Sequence, residues 1–304
     1  MPSSLLKLIR WPNLLIVFIT QWLVWNELIG KSLAVHNLNS NLSFFQFLLL
    51  SLSTVLVAAA GYVINDIEDI KIDLINKPDK VIVGKYILTK QCKIIYHSLL
   101  AIGFLFAVYL AWQLDEIPYL FIYPLSAACL HFYATHFKKS TLWGNLIISL
   151  FVAAVPLIIF LADIEQFSYT TDTRLYHILY LYASLAFLAN LAREIVKDMQ
   201  DIKGDKIFGA NTFPIRFGLV PSKYLIYLLL IIIFLILLYW TWILDNAQQT
   251  KISIAFGSIP LLVIVSALIV TLQSMNSKEE FGKWSLGIKL FLLFGLLFLY
   301  LQPL

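Results

Sequence analysis

Charge is what this chain lacks most. Only 13% of its 304 residues are Asp, Glu, Lys or Arg, against about 25% in a typical soluble domain. So few ions cannot clothe a water-facing surface, which excludes a soluble enzyme and a disordered chain. Cysteine is nearly absent as well. Cys92 and Cys129 stand alone with no metal-type spacing, so no disulfide framework is expected and both read as small core residues. There is no Walker loop, GxGxxG or nucleophile elbow, which argues against NTP-driven transport and serine-hydrolase chemistry. The opening MPSSLLKLIRWPNLLIV has basic residues before an apolar run but no small-residue cleavage site, so the first span is expected to be retained. The final QPL is not a lipidation signal. His131 and His136, five residues apart, would lie on different sides of a helix and make no metal pair.

What the chain has in abundance is apolar length. Hydrophobic residues make up 60% of it and aromatics 15%, and the mean hydropathy is +0.83. A bilayer's hydrocarbon core takes about 20 apolar residues per helix. Nine such stretches can be counted, near 13–30, 44–64, 94–113, 117–134, 142–162, 176–195, 222–243, 252–273 and 284–301. Pro124, Pro156 and Pro260 interrupt some of them, which membrane helices tolerate when neighbours satisfy the freed backbone. The expected fold class is therefore all-α. Residues 1–304 would form a single polytopic integral-membrane domain of nine transmembrane helices.

The joints between these stretches alternate in charge. Lys and Arg total 18 on one set (the N-terminal tail, 65–93, 135–141, 193–223 and 274–283) and 3 on the other. Basic loops stay in the cytoplasm, so the N-terminus and loops 65–93 and 193–223 are expected inside and the C-terminus outside, in a cell inner membrane. The outer joints instead collect Asp115, Glu116, Asp163, Glu165, Asp172 and Asp245. A net charge of +4 gives no reason to expect a nucleic-acid partner, and the membrane-proximal cations can face lipid headgroups or an anionic substrate.

The two longest inner loops repeat one pattern. Asp66, Asp69 and Asp73 are spaced i, i+3, i+7, and so are Asp198, Asp201 and Asp205. On a helix these offsets form one carboxylate stripe. Asn65 lies one turn before Asp69, and Glu194 one turn before Asp198. The loops are four spans apart, like matching ends of two four-helix halves with a ninth helix added. If the stripes faced each other, their repulsion would call for divalent cations. Hard oxygen ligands suit Mg²⁺, which prefers a few carboxylates plus substrate phosphates. Lys77, Lys80, Lys85, Lys197, Lys203 and Lys206 lie close in sequence and could bind phosphate oxygens. Acid stripes, basic neighbours and an apolar bundle describe a site for a diphosphate with a hydrocarbon tail. A cation-coupled transporter is the rival class, but such sites typically lie near the midplane on broken helices, whereas these acids cluster at span ends. A CDP-alcohol phosphotransferase would show glycine- and arginine-rich spacing that is missing here.

These motifs resemble the UbiA superfamily of intramembrane prenyltransferases. Asn65, Asp66, Asp69 and Asp73 match its N-D-x-x-D-x-x-x-D, followed by Asn76, Pro78, Lys80 and Gly84. Asp198, Asp201, Gly204 and Asp205 resemble its D-x-x-D-x-x-G-D, with Gly209, Thr212, Pro214 and Gly218 after it. Arg10-Trp11-Pro12-Asn13 is similar to the family's entry to span one, and Lys138 with Gly144-Asn145 to its fourth-to-fifth-span loop. Lys80 stands where many members have arginine, and Ile82-Val83-Gly84 replaces the usual Pro-Ser-Gly.

The resemblance implies nine helices around a central cavity and Mg²⁺ as cofactor. The six aspartates would be catalytic, and Asn65, Asp69, Asp73, Asp201 and Asp205 would be metal ligands. Lys77, Lys80, Lys138 and Lys197 would bind diphosphate, and Asn13, Asn190 and Arg193 an acceptor. The partners implied are a polyprenyl diphosphate, such as geranylgeranyl diphosphate, and a lipid or aromatic acceptor, with no obligatory protein partner. Aromatic faces, among them Tyr62, Tyr133 and Phe187, could stabilise a carbocation-like centre. The segment REIVKDMQDIKGD and Asn76 resemble the digeranylgeranylglyceryl phosphate synthase branch more than the 4-hydroxybenzoate branch. That favours transfer to a glycerol-phosphate lipid hydroxyl, with aromatic quinone precursors as the alternative.

Overall fold

The structure is a computed structural model that describes residues 2–167, 174–246 and 253–301. Its main helices in chain order are α1 (Trp11–Val35), α2 (Phe44–Glu68), the short α3 (Ile70–Asn76), α4 (Thr89–Leu114), α5 (Pro118–Thr135), α6 (Trp143–Phe167), α7 (Arg174–Ile207), α8 (Leu219–Asn246), α9 (Ile259–Leu272) and α10 (Lys278–Tyr300). The described residues form no strand, only an isolated Val83–Ile87 bridge in the loop after α3. Among the described residues, seven helices (α1, α2, α4, α6, α7, α8 and α10) are long and apolar enough to cross a membrane. α5 and α9 occupy the fourth and eighth expected stretches; α9 belongs to the shorter apolar helix Phe256–Leu272.

The chain divides into two compact units. One holds Met1–Gln21, Leu42–Lys139 and Lys203–Gly209, and so contains α2 to α5 and the end of α7. Its core gathers Leu8, Val63, Ile64, Cys92, Tyr96 and Ala134. Ser43 starts α2 with a capping box: its hydroxyl accepts the Gln46 N–H, while Gln46 reaches back to the Ser43 N–H. Helices α4 and α5 approach closely because Gly103 has no side chain. A Cβ there would lie 2.4 Å from the Tyr123 hydroxyl, which donates to the Leu100 carbonyl at 3.0 Å. Small residues are what permit such crossings in membranes. Cys92 is buried as expected, but Cys129 is exposed on α5. On a membrane helix an outward apolar side chain meets lipid instead of water, so nothing forces it into the core.

The other unit holds Trp22–Asn41, Ser140–Ile202 and Ala210–Leu304. The α1 segment Leu23–Gly30 within it is π-helical, a register with i→i+5 hydrogen bonds. Asp163, read from sequence as an outer-loop acid, is fully buried at the end of α6. It accepts hydrogen bonds from the Ser40 hydroxyl at 2.8 Å and the Asn41 N–H at 2.5 Å. Asp172 and the Asp245 side chain lie outside the described residues.

Candidate active site

The first acidic motif sits where α2 gives way to α3. The backbone bends at Asp69 (φ −87°, ψ 0°), yet the i→i−4 hydrogen bonds continue through it, from Asp69 N to Asn65 O at 3.0 Å and from Asp73 N to Asp69 O at 2.8 Å. The spacing of the stripe therefore survives the change of helix. Asp69 is only 6% exposed. Its carboxylate accepts from the Asn65 amide at 3.0 Å and forms an ion pair with Lys138, which also donates to Asn65 Oδ1 at 2.9 Å. Two hard oxygens, one charged and one neutral, thus converge on a single cation. That donor chemistry fits Mg²⁺, which takes one or two carboxylates and leaves further positions to phosphate and water. Among the described residues, no three Asp, Glu, His or Cys side chains stand close enough together to hold one metal ion, so Asn65 and Asp69 are the oxygens already in place.

Asp66 and Asp73 have different surroundings. Asp66 accepts from the Arg10 guanidinium at 2.7 Å, and Arg10 also lies 4.9 Å over the Tyr62 ring. Asn13 donates to the Tyr62 hydroxyl at 3.3 Å. These contacts tie the N-terminal segment to α2, and one face of Tyr62 is covered by a cation of the chain itself. Burial, reinforced by the charge of Asp69, pushes the Asp73 carboxyl up; Lys77 and Lys138 oppose this. Lys77 is half-buried, and Lys80 is exposed at the end of the turn Pro78–Lys80.

The second motif straddles the division of the chain. Gly204 and Asp205 fall in the first unit, where the Gly204 N–H donates to the Asn76 side-chain carbonyl at 2.8 Å. Asp198 and Asp201 fall in the other unit, seven and four residues before Asp205 on α7. Asp198 accepts from Asn145 at 2.8 Å. Further along α7, Asn190 is buried and donates to the Ser149 hydroxyl at 3.3 Å. Glu194 Oε1 accepts from both Arg193 at 3.2 Å and Lys197 at 2.6 Å. Glu194 thus joins two cations, one on each side of it along α7.

Three of these pairings could not be read from spacing alone. Arg10 with Asp66, Asn76 with Gly204 and Asn145 with Asp198 each join distant segments. Their only sequence signal was that all six residues fall inside recognisable motifs.

The family model described as the UbiA prenyltransferase family matches residues 23–298. The chain belongs to that family. It is therefore a prenyltransferase, and its UbiA membership removes the transporter reading. A digeranylgeranylglyceryl phosphate synthase of Saccharolobus solfataricus is 34% identical over 233 residues, covering 76% of this chain and 74% of its own length. A solved structure described as a digeranylgeranylglyceryl phosphate synthase in membranes is 26% identical, with a TM-score of 0.65 over 98% of this UbiA chain and 96% of the other. A UbiA homolog from Archaeoglobus fulgidus, solved bound to GPP and Mg²⁺, shares the fold at 15% identity. Its TM-score is 0.57 over 97% of this chain and 99% of its own.

Proposed function

We propose that this UbiA-family protein transfers a prenyl group from a polyprenyl diphosphate, with geranylgeranyl diphosphate as the donor, to the hydroxyl of a glycerol-phosphate lipid. The observation that carries the reading is the Asn65–Asp69 oxygen pair around a cation at the end of α2. Asn65 and Asp69 would hold Mg²⁺, and by their motif positions Asp73, Asp201 and Asp205 would close on the ion when it binds. When bound, Mg²⁺ supplies positive charge to the departing diphosphate.

The chain's own residues do the rest. Lys77, Lys80, Lys138 and Lys197 donate hydrogen bonds to phosphate oxygens. The allylic C–O bond breaks, a C–O bond to the acceptor hydroxyl forms, and the products are an ether lipid, diphosphate and a proton. The apolar helices hold the hydrocarbon tail and keep water from the electron-poor carbon. The name of the relative from Saccharolobus solfataricus supports the acceptor class. The enzyme would span the membrane nine times, with the acidic loops and N-terminus in the cytoplasm.

The test incubates membranes containing the full chain with labelled geranylgeranyl diphosphate and either a glycerol-phosphate ether lipid or 4-hydroxybenzoate. Transfer to the lipid, lost with chelator and restored by Mg²⁺, is the expected result. Product from 4-hydroxybenzoate alone would overturn the acceptor, and turnover that is indifferent to chelator would overturn the metal.

A further inference from the structure

The Asn76–Gly204 contact does more than pack two loops. Asn76 closes α3, three residues after Asp73, and is 6% exposed. Its side-chain oxygen accepts the backbone N–H of Gly204, the residue immediately before Asp205, at 2.8 Å across 128 residues of sequence. The approach is close enough to dictate residue type. A Cβ on Gly204 would lie 2.6 Å from the Asn76 amide nitrogen and 2.7 Å from its oxygen, inside any real contact distance. Gly204 is not in a left-handed conformation, so backbone freedom does not explain it; the space Asn76 occupies does. The amide and the missing side chain are two halves of one joint.

We infer that Asn76 is a positioning residue, which sets the Asp205 segment against the first motif through the Gly204 backbone. The inference rests on the proposed function in one respect: the cation whose binding it tunes is the one assigned there to Asp69, Asp73 and Asp205. A side-chain oxygen on a backbone N–H fixes height and rotation of the α7 terminus together, because the bond is short and directional. Supports of this kind, which touch a ligand's neighbour and not the metal, commonly change metal affinity by about 10–100-fold when removed.

The experiment uses the full chain in detergent, with Mn²⁺ as the spin-active probe. Asn76→Ala should weaken Mn²⁺ binding about tenfold or more and raise the Mg²⁺ needed for half-maximal transfer equally, at a temperature where the variant is folded. Gly204→Ala should do the same, because its methyl displaces the amide. In the double variant the methyl enters the space the amide has left, so Gly204→Ala should add little to Asn76→Ala in both Mn²⁺ affinity and thermal midpoint. Asn76→Asp keeps an oxygen of the same shape and should restore most of the affinity lost in Asn76→Ala.

Unchanged Mn²⁺ affinity in Asn76→Ala would overturn the inference. So would multiplying losses in the double variant, or an Asn76→Asp as weak as Asn76→Ala. Failure of the proposed function has a separate signature, which is a wild-type protein that binds no Mn²⁺. Non-additive thermal midpoints would then still report the joint.

Discussion

Arg10 holds an unusual backbone for its type, with φ at +53°, a region that costs an L-residue about 1–2 kcal/mol relative to the right-handed one. It tolerates this because its side chain gains both the Asp66 carboxylate and the Tyr62 face. The strain and the contacts can be separated. Arg10→Ala loses the contacts and keeps the strain, whereas Arg10→Gly loses both. Arg10→Gly should therefore melt at a higher temperature than Arg10→Ala, and equal midpoints would show that the turn stores no strain. Asp69 makes a different case, since its shape matters less than its charge. Asp69→Asn retains the size of the side chain but leaves Lys138 facing two neutral oxygens. Transfer should fall at least ~100-fold, as for loss of one preorganised charged partner, while the protein still folds. Wild-type turnover would exclude Asp69 from the site. At this scale the sequence showed which acids share a stripe, because helical geometry is local. It could not show that Arg10 captures Asp66, since a pair 56 residues apart leaves no periodic trace.

Helices were legible where burial in lipid demands an unbroken apolar run. The expected stretches near 44–64 and 94–113 lie within α2 and α4, and that near 142–162 matches α6 to within one residue at its start, because hydropathy reports the length of hydrocarbon to be crossed. The π-helical Leu23–Gly30 and the bend at Asp69 were not legible. Both are changes of hydrogen-bond register, to which composition is blind. Helix packing was equally hidden, since a glycine in a span gives no sign of its neighbour. Gly103 and Gly61 now make a comparison. A Cβ on Gly103 meets the Tyr123 hydroxyl at 2.4 Å and its ring at 2.7–2.8 Å, whereas one on Gly61 meets the Leu130 Cδ1 tip at 3.1 Å and the rest of that side chain at an ordinary 3.8 Å. The leucine tip can rotate away, but the tyrosine is held by its bond to the Leu100 carbonyl. Gly103→Ala should therefore cost about 1–3 kcal/mol by overpacking and lower the thermal midpoint clearly more than Gly61→Ala. Equal shifts would mean that α4 and α5 can separate without loss.

For the whole molecule the deciding quantity is where its cations sit relative to the bilayer. The 18-to-3 bias of Lys and Arg between alternate joints is a statement about insertion, since positively charged short loops resist translocation. It also bears on substrate supply. A diphosphate carries too much charge to cross hydrocarbon unaided, so an enzyme that uses a donor made in the cytoplasm must open its acidic loops to that side. The two requirements are independent, one from biogenesis and one from chemistry, and both favour the proposed cytoplasmic placement of residues 65–93. Replacing Cys92 and Cys129 clears the background, after which Lys85→Cys and Glu116→Cys provide exposed reporters on opposite joints. A membrane-impermeant maleimide added to intact cells should label Glu116→Cys and spare Lys85→Cys until the membrane is opened. The reverse pattern would turn the acidic motifs away from their substrate. The charge bias would then have to reflect anionic-lipid binding on the outer face rather than topology.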